Sequence, residues 1–296
     1  MILDGKAVAA KVLAEVKAGS AAYRERTGAP PTLAVILVGE DPASQLYVRS
    51  KKRDAEEVGI ASRDFLFPQG CTQAELHATI QRINADPSMH GVLLQLPLPK
   101  GLDEDAAIAA IAPEKDADGL HPMSLGNLLG GKPTLVPCTP SGCIEILDHY
   151  GIPIEGAEAV VVGRSRLVGK PLAQLLIGRN ATVTTCHTRT RDLAAHCRRA
   201  DILCVAAGRA RMVTGEMVKD GVVVIDVGTN RLDTGKLAGD VDFASVSPKA
   251  RAITPVPGGV GPMTRAMLMR NTLLAAQRQA SLAPSAPSGG AGRVRG

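Results

Sequence analysis

The alternation of short apolar segments with longer helical patterns is the feature that most constrains how this chain can fold. Residues 32–38 and 91–96 are nearly unbroken apolar runs, which is typical of strands buried on both faces of a parallel sheet. A helical pattern over about residues 42–59 follows the first run and ends at Gly59, a residue suited to a helix C-cap. Because strand and helix alternate, we predict an α/β fold.

The second half of the chain repeats this alternation after a proline-containing segment at residues 133–140. Helical patterns between its strands indicate a doubly wound, Rossmann-like unit. We therefore predict two lobes: an N-terminal α/β catalytic lobe of residues 1–140 and a cofactor lobe of residues 141–262. The predicted strands of the cofactor lobe are residues 159–162, 182–185, 202–206 and 222–227.

The end of the chain divides into a helix and a tail. The helical pattern at residues 263–280 follows the last strand, and a helix in this position can pack back on the first lobe. Residues 281–296 are rich in Pro, Gly and Ser, so we expect them to be disordered.

Composition and charge argue against several functional classes. The net charge of +5 is too weak and dispersed to indicate nucleic-acid binding. No apolar run approaches the roughly 18 residues of a membrane helix, and the first residues lack a secretory-signal pattern, so we expect a cytoplasmic protein. The six cysteines form no C-x-x-C pair, so we expect reduced, buried thiols and no metal site.

A glycine-containing turn at residues 160–171 links a predicted strand to a predicted helix. In this order, backbone N–H groups near Gly163 can face an anionic phosphate. Five residues separate Gly163 from Gly169, so the spacing is not G-x-G-x-x-G, and a tight turn without a ligand stays open. Arg164, and Arg189 after the second strand, stand where positive charge favours NADP over NAD.

The helix predicted at residues 42–59 places Ser44, Tyr47, Lys51 and Val58 on one stripe, because spacings of three, four and seven share a helix face. An inward lysine surrounded by other cations is suited to proton transfer near neutral pH. An ordinary surface lysine is the alternative interpretation.

Two further polar positions are candidates for a cleft. Gln95 lies at the C-terminal end of its predicted strand, where ligands bind in open α/β sheets. Asp116 and Asp118 lie in a loop signal, and either carboxylate could cap a turn. An Asp that faces a cleft could instead accept two hydrogen bonds from an amidine-like N–C–N edge.

Six segments, in order, resemble the bifunctional methylenetetrahydrofolate dehydrogenase/methenyltetrahydrofolate cyclohydrolase family. The likeness extends over about residues 1–280. It implies NADP-dependent oxidation of 5,10-methylenetetrahydrofolate to the methenyl form, and then hydrolysis to 10-formyltetrahydrofolate. It also implies a homodimer joined through the cofactor lobes. The matching segments are residues 38–51, 95–99, 113–119, 137–140, 162–171 and 254–264.

The resemblance also implies roles for individual residues of the first lobe. Lys51 would be the catalytic lysine, and Gln95 would hydrogen-bond to it and help set its protonation. Asp118 would hold the N–C–N edge of the pterin. The residues that would line the folate cleft are Tyr47, which would pack on the folate ring system, Gly259 and Pro262.

For the cofactor, the resemblance implies a 2′-phosphate site formed by Arg164, Ser165, Thr188 and Arg189, beyond the turn at Gly163. Thr188 and Arg189 replace a Ser-Lys pair that is common in the family, which keeps the hydroxyl and the charge. Thr229 stands where many relatives carry Ile, so the nicotinamide pocket should be slightly more polar.

Two other functions stay open from the sequence. One is a monofunctional relative, either an NAD-dependent dehydrogenase or a chain that keeps one of the two activities. The other is a non-catalytic nucleotide-sensing protein that keeps the fold, because fold alone does not fix function.

Overall fold

The computed structural model describes residues 1–282. Its first lobe alternates helices with three parallel strands, in the sheet order β2-β1-β3. Every residue of β1 is buried, as its continuous apolar sequence predicts. The elements of this lobe are α1 (Gly5–Thr27), β1 (Thr32–Val38), α2 (Pro42–Glu57), β2 (Ala61–Phe67), α3 (Gln73–Ala85), β3 (Gly91–Leu94), α4 (Glu104–Ala109) and α5 (Pro122–Leu129).

The second lobe is a five-stranded parallel sheet in the order β10-β7-β6-β4-β5, with a small antiparallel hairpin of β8 and β9. The order reverses at β4, which has β5 on one side and β6 on the other, so the doubly wound prediction is confirmed. Its elements are α6 (Cys138–His149), β4 (Glu158–Val162), α7 (Gly169–Ile177), β5 (Thr182–Cys186), α8 (Leu193–Arg199), β6 (Ile202–Val205), β7 (Val223–Asp226), β8 (Asn230–Arg231), β9 (Leu237–Ala238), α9 (Phe243–Val246) and β10 (Ala252–Ile253).

Besides the two-residue strands β8, β9 and β10, the longer strand β2 was not among the predicted strands. It lies at the edge of the first sheet and is mostly exposed or half-buried, with Arg63 and Asp64 in its centre. An edge strand has only one neighbour and one covered face, so it carries a polar sequence instead of an apolar run.

The C-terminal helix α10 (Val260–Leu282) packs against α1, α2, β3 and α6, which confirms that it returns to the first lobe. It ends two residues later than expected, so Ser281 and Leu282 are helical rather than part of a disordered tail. The rest of the predicted tail lies outside the described residues. Among residues 1–282, none of the helices combines the length and apolar character that crossing a bilayer requires.

A buried lysine fixes the loop between α4 and α5. The Lys115 ammonium is 4% exposed and donates hydrogen bonds to the backbone oxygens of Ile83 (3.1 Å), Asn84 (2.8 Å) and Asp86 (2.8 Å). These carbonyls lie at the C-terminal end of α3, where a cation also complements the helix dipole. The loop that carries Asp118 is therefore anchored on its N-terminal side.

Candidate active site

Lys51 is turned into the protein, as the helical stripe predicts. It lies on the face of α2 that also buries Ser44, Val48, Ala55 and Val58. Its Nζ donates a hydrogen bond of 3.1 Å to Gln95 Oε1. A solvated surface lysine would not be buried to 9% exposure, so the alternative interpretation of this residue is wrong.

Gln95 follows β3 directly and is held by its neighbours. Its backbone N–H donates to the Ile36 carbonyl (2.9 Å), which continues the β1–β3 ladder. Its side-chain Nε2 donates to the Leu96 carbonyl (2.7 Å), so the amide orientation is fixed and Oε1 faces Lys51. The amide therefore presents an acceptor to the ammonium group.

Tyr47 differs from its predicted orientation. Its side chain is 50% exposed, whereas the neighbouring Val48 takes the buried position on this turn of α2. The ring lies at the border of the stripe because 3.6 residues per turn move successive positions around the helix. A half-exposed ring on the helix that carries Lys51 can still stack on a flat ligand.

The two aspartates of the 116–119 loop have different surroundings. Asp116 is buried and accepts hydrogen bonds from Leu120 N (3.1 Å), His121 N (2.8 Å) and Ser124 Oγ (2.7 Å), so it caps the turn before α5. Asp118 makes none of these contacts. Burial raises the pKa of the Asp118 carboxyl, and the charge of Lys51 opposes that rise. Asp118 is therefore the carboxylate that faces Lys51.

Cys138 joins this cluster, although its sequence gave it no role beyond a buried thiol. Its Sγ lies 3.4 Å from the Ala117 carbonyl oxygen and within hydrogen-bonding reach of Asp118. Burial raises the pKa of the Cys138 thiol well above its ordinary value, and the Asp118 charge adds to the rise. A neutral thiol beside the carboxylate is a hydrogen-bond donor. Its position in the Pro-Cys-Thr-Pro segment at residues 137–140, one of the six that resemble the family, is the sequence feature that could have identified it.

The glycine loop has the strand–turn–helix geometry that its sequence predicts. Gly163 follows β4 with φ of 135°, and a Cβ there would lie 2.2 Å from the Ala206 carbonyl oxygen. A Cβ on Gly169, the first residue of α7, would lie 2.1 Å from the Gly163 carbonyl oxygen. Only glycine permits this close return of the chain. The turn therefore delivers the N-terminus of α7 to the edge of the sheet, which fits a pyrophosphate.

Arg164 and Ser165 are exposed on this loop. Ser165 Oγ accepts hydrogen bonds from the backbone N–H groups of Val168 (3.2 Å) and Gly169 (3.4 Å), and its hydroxyl hydrogen remains a donor for an anion. The Gly163 N–H donates to the Cys186 carbonyl (2.9 Å). The loop after β4 therefore lies beside the loop after β5.

Thr188 and Arg189 are exposed in that second loop. The His187 N–H donates to Thr190 Oγ1 (2.8 Å) and the Arg189 N–H donates to His187 Nδ1 (3.1 Å), which closes a tight turn. Arg164 and Arg189 thus stand on neighbouring loops. The sequence between the end of β4 and the end of β5 contains no Asp or Glu. This pair of cations fits a phosphate on the adenosine ribose.

Two buried aspartates organise the loops on the other side of the cofactor lobe. Asp226, at the end of β7, accepts hydrogen bonds from Gly228 N (3.0 Å), Asp240 N (2.9 Å) and Val241 N (3.0 Å). These bonds hold the turn that presents the exposed Thr229.

Asp240 in turn accepts from three consecutive backbone N–H groups, those of residues 207–209, at 2.6 to 2.8 Å. These residues form the loop after β6. Neither aspartate stands out in the sequence, because most of their partners are backbone groups more than ten residues away.

The two lobes face each other across a cleft of about 670 Å³. Leu96 and Pro97, next to Gln95, line one side, and Arg166 and Leu167 of the glycine loop line the other. An ion pair between Arg166 and Asp105 of α4 crosses this cleft. The segment that directly follows Gln95 therefore faces the glycine loop across this cleft.

Gly259 and Pro262 are less directly connected to the lysine cluster. The Gly259 carbonyl oxygen packs so closely on α1 that a Cβ on Gly5 would lie 1.8 Å away. Pro262 lines a groove of about 430 Å³ between α1, α2 and α10. The lining of that groove includes Arg53 but not Lys51.

Models of two protein domains match most of the chain. Residues 3–118 match the tetrahydrofolate dehydrogenase/cyclohydrolase catalytic domain, and residues 137–280 match the NAD(P)-binding domain of the same family. The chain belongs to the tetrahydrofolate dehydrogenase/cyclohydrolase family. It is accordingly a bifunctional enzyme of folate one-carbon metabolism that uses a nicotinamide dinucleotide, and the resemblance of its six segments is confirmed.

Individual relatives extend the match to nearly the whole chain. The bifunctional protein FolD of Moorella thermoacetica is 57% identical over 94% of this chain and 99% of its own length. The crystal structure of the bifunctional FolD of Campylobacter jejuni is 47% identical and superposes with a TM-score of 0.92 over 94% of this chain and 99% of that one. The Trypanosoma brucei enzyme, solved with NADP and an inhibitor, is 40% identical with a TM-score of 0.91, over 96% and 99%.

Within residues 1–282, no group of three His, Cys, Asp or Glu side chains is arranged to hold a metal ion.

Asp226 supplies a test of how the cofactor loops are held. Burial raises the pKa of its carboxyl to about 6, although its three backbone donors oppose the rise. A carboxyl whose pKa is higher in the folded state binds more protons there than in the unfolded state. Its contribution to stability is therefore full below the ordinary pKa of 3.8 and is lost as the pH rises through 6.

We expect the free energy of unfolding of the wild type, relative to Asp226→Asn, to fall by about 2 kcal/mol between pH 4 and 6. Urea denaturation at several pH values measures it. Asp201→Asn is the control with the opposite sign, because the hydrogen bond from Lys219 lowers the pKa of Asp201. Parallel pH curves for the wild type and Asp226→Asn would contradict the expectation.

Proposed function

We propose that Lys51, Gln95 and Asp118 form the centre at which this enzyme oxidises 5,10-methylenetetrahydrofolate with NADP⁺ and then hydrolyses the methenyl product to 10-formyltetrahydrofolate. The hydrogen bond of 3.1 Å between Lys51 Nζ and Gln95 Oε1 carries the proposal. It fixes an inward amine whose charge acts on the half-buried Asp118 carboxyl, and the residues next to Gln95, Leu96 and Pro97, line the cleft that the glycine loop also lines.

The oxidation requires the side chains mainly to position the folate and the nicotinamide. When bound, NADP⁺ accepts the hydride that leaves the one-carbon bridge of the folate. The resulting cation is stabilised by the two nitrogens that flank the carbon, so no general base is needed. Tyr47 would stack on the folate ring system, and Asp118 would accept two hydrogen bonds from its N–C–N edge.

The hydrolysis does require proton transfer. Water attacks the methenyl carbon, and Lys51 Nζ takes a proton from it as the carbon–oxygen bond forms. The same proton then passes to the folate nitrogen as its bond to the carbon breaks, and the formyl oxygen loses its proton to solvent. Gln95 would orient this amine, because its Oε1 accepts a hydrogen bond from Lys51 Nζ; the family resemblance further implies that it helps to set the protonation of the lysine.

We assign the dinucleotide to the second lobe, with its pyrophosphate at the turn of Gly163 and its 2′-phosphate between the two loops of Arg164, Ser165, Thr188 and Arg189. Both arginines are exposed on neighbouring loops. Thr229, held by the Asp226 turn, would border the nicotinamide. Gly259 and Pro262 remain proposed boundaries of the folate cleft.

We further propose that residues 1–140, completed by the C-terminal helix, form the folate-binding catalytic domain, and residues 141–262 the NADP-binding domain. The packing of α10 on α1 and β3 supports this division.

We also propose a cytoplasmic homodimer joined through the cofactor lobes that binds neither nucleic acid nor membrane. All six cysteines are unpaired, which suits a reducing compartment. The modest net charge of +5 argues against a nucleic-acid partner. The dimer rests on the family resemblance, and sedimentation equilibrium would test it.

Lys51→Met tests the centre. We expect loss of 10-formyltetrahydrofolate formation by about 10²–10⁴-fold, because the proton acceptor is removed. Turnover of 5,10-methylenetetrahydrofolate with NADP⁺, followed at both reduced nicotinamide and formyl product, measures it. Lys52→Met is the matched control, because Lys52 is the next residue of α2 and pairs with Asp64 at the surface. Formyl product at the wild-type rate in Lys51→Met would refute the assignment, and a wild type that makes none would be a dehydrogenase only.

Arg164→Ala tests the cofactor preference. We expect the KM for NADP⁺ to rise by at least about tenfold and the KM for NAD⁺ to change little, because a charge-assisted contact to the 2′-phosphate is worth roughly 1.5–3 kcal/mol. Steady-state kinetics with both cofactors give the two values. Arg231→Ala removes an exposed arginine of β8 and should leave both unchanged. An equal rise for the two cofactors would argue against the 2′-phosphate site.

A further inference from the structure

A buried amide on the C-terminal helix reaches the loop that carries Asp118. Asn271 of α10 is 5% exposed. Its Nδ2 donates hydrogen bonds to the backbone oxygens of Ala117 (2.9 Å) and Val136 (2.9 Å). Cys138 Sγ lies 3.6 Å from the same nitrogen. One side chain therefore contacts the residue before Asp118, the segment before α6 and the thiol of the cluster.

These two backbone segments meet directly. Gly119, next to Asp118, has φ of 71°, and a Cβ there would lie 2.4 Å from the Val136 carbonyl carbon. The contact therefore requires glycine and leaves no room for a side chain between the segments. Asn271 lies at this junction and donates to a carbonyl of each segment.

The chemistry of the amide suits this position. A carboxamide nitrogen carries two hydrogens, and here each has a backbone acceptor. Replacing the amide with an apolar group leaves the two carbonyls without these donors inside the protein, which is costly. The loop can then relieve the cost by shifting outward, and Asp118 would move with Ala117.

We propose that Asn271 is a positioning residue for Asp118, holding its carboxylate where it binds the folate ring. The proposal rests on the folate-binding role proposed for Asp118. It extends that site to a residue of the C-terminal helix 153 positions away, which no segment of the family resemblance includes.

Gln279 provides a matched control on the same helix. Its Nε2 donates to the backbone oxygens of His90 (2.8 Å) and Glu114 (3.3 Å). It is likewise an amide of α10 that donates twice to first-lobe carbonyls. Its acceptors, however, are the residue before β3 and Glu114, and the three hydrogen bonds of Lys115 anchor the chain between Glu114 and Asp118. A loss of stability alone should therefore appear in variants of both residues, and a loss of folate positioning only in variants of Asn271.

The experiment compares Asn271→Leu, Asn271→Ser and Gln279→Leu in the full-length enzyme. We expect both Asn271 variants to raise the KM for 5,10-methylenetetrahydrofolate on the order of tenfold, because small displacements of positioning groups weaken productive binding. The KM for NADP⁺ should stay within about twofold, and Gln279→Leu should leave both KM values unchanged while lowering the melting temperature. Equal folate KM values in the Asn271 and Gln279 variants would overturn the proposal.

A double-mutant cycle with Asp118→Ala separates an effect through Asp118 from any other. If Asn271 acts through this carboxylate, Asn271→Leu should produce no further loss of kcat/KM for folate once Asp118 is alanine. A full additional loss overturns the proposal. If Asp118→Ala alone leaves the folate KM unchanged, the proposed role of Asp118 fails, and this inference fails with it. Failure of both Asn271 variants to fold, while Gln279→Leu folds, would make Asn271 a requirement of folding and also overturn it.

Discussion

The packing of α10 on both halves of the molecule is the interaction on which the rest of the structure depends. Its buried side chains include Met263, Leu268 and Leu273, and burial of such side chains stabilises by roughly 1.5–3 kcal/mol each. Polar contacts also fix the orientation of α10 on this apolar interface. Arg270 pairs with Glu145 of α6 (2.6 Å) and Glu15 of α1 (3.0 Å), so one half-buried guanidinium joins three helices. Without this helix, the first lobe would lose one of its packed layers. The width of the cleft between the lobes would then no longer be fixed.

The site follows from how two parallel sheets direct their strands. In each sheet, the loops after the strands collect at one edge, and ligands of open α/β sheets bind there. Gln95 follows β3, Gly163 follows β4, and Thr229 follows β7. These three residues are therefore on loops, whereas Lys51 is on α2, and the strands that precede the loops are mostly apolar and buried. This arrangement lets the loops carry polar groups without disturbing the cores.

Burial controls the chemical state of the first-lobe cluster. Taking Asp118 and Cys138 out of water raises the pKa of both groups, and the Lys51 ammonium opposes both rises. The cluster therefore brings together an amine, a carboxyl group and a neutral thiol. Asp116, two residues before Asp118, is also buried, but its carboxylate oxygens accept hydrogen bonds from the turn before α5. Two neighbouring aspartates thus have separate tasks because only one of them faces the lysine.

The sequence by itself determined the α/β class, the alternating lobes, the glycine turn and the inward side of α2, because these depend on local periodicity and on backbone conformations that few residues allow. It did not identify β2, since an edge strand lacks the apolar run, and it turned Tyr47 too far inward. Only the tertiary structure decided that Asp118 rather than Asp116 faces Lys51, that Asp226 and Asp240 hold the cofactor loops, and that Asn271 reaches Ala117. Each of these contacts joins groups that chain folding brings together, many through backbone atoms that every residue shares. The pattern of side chains along the sequence therefore does not indicate which groups will become such partners.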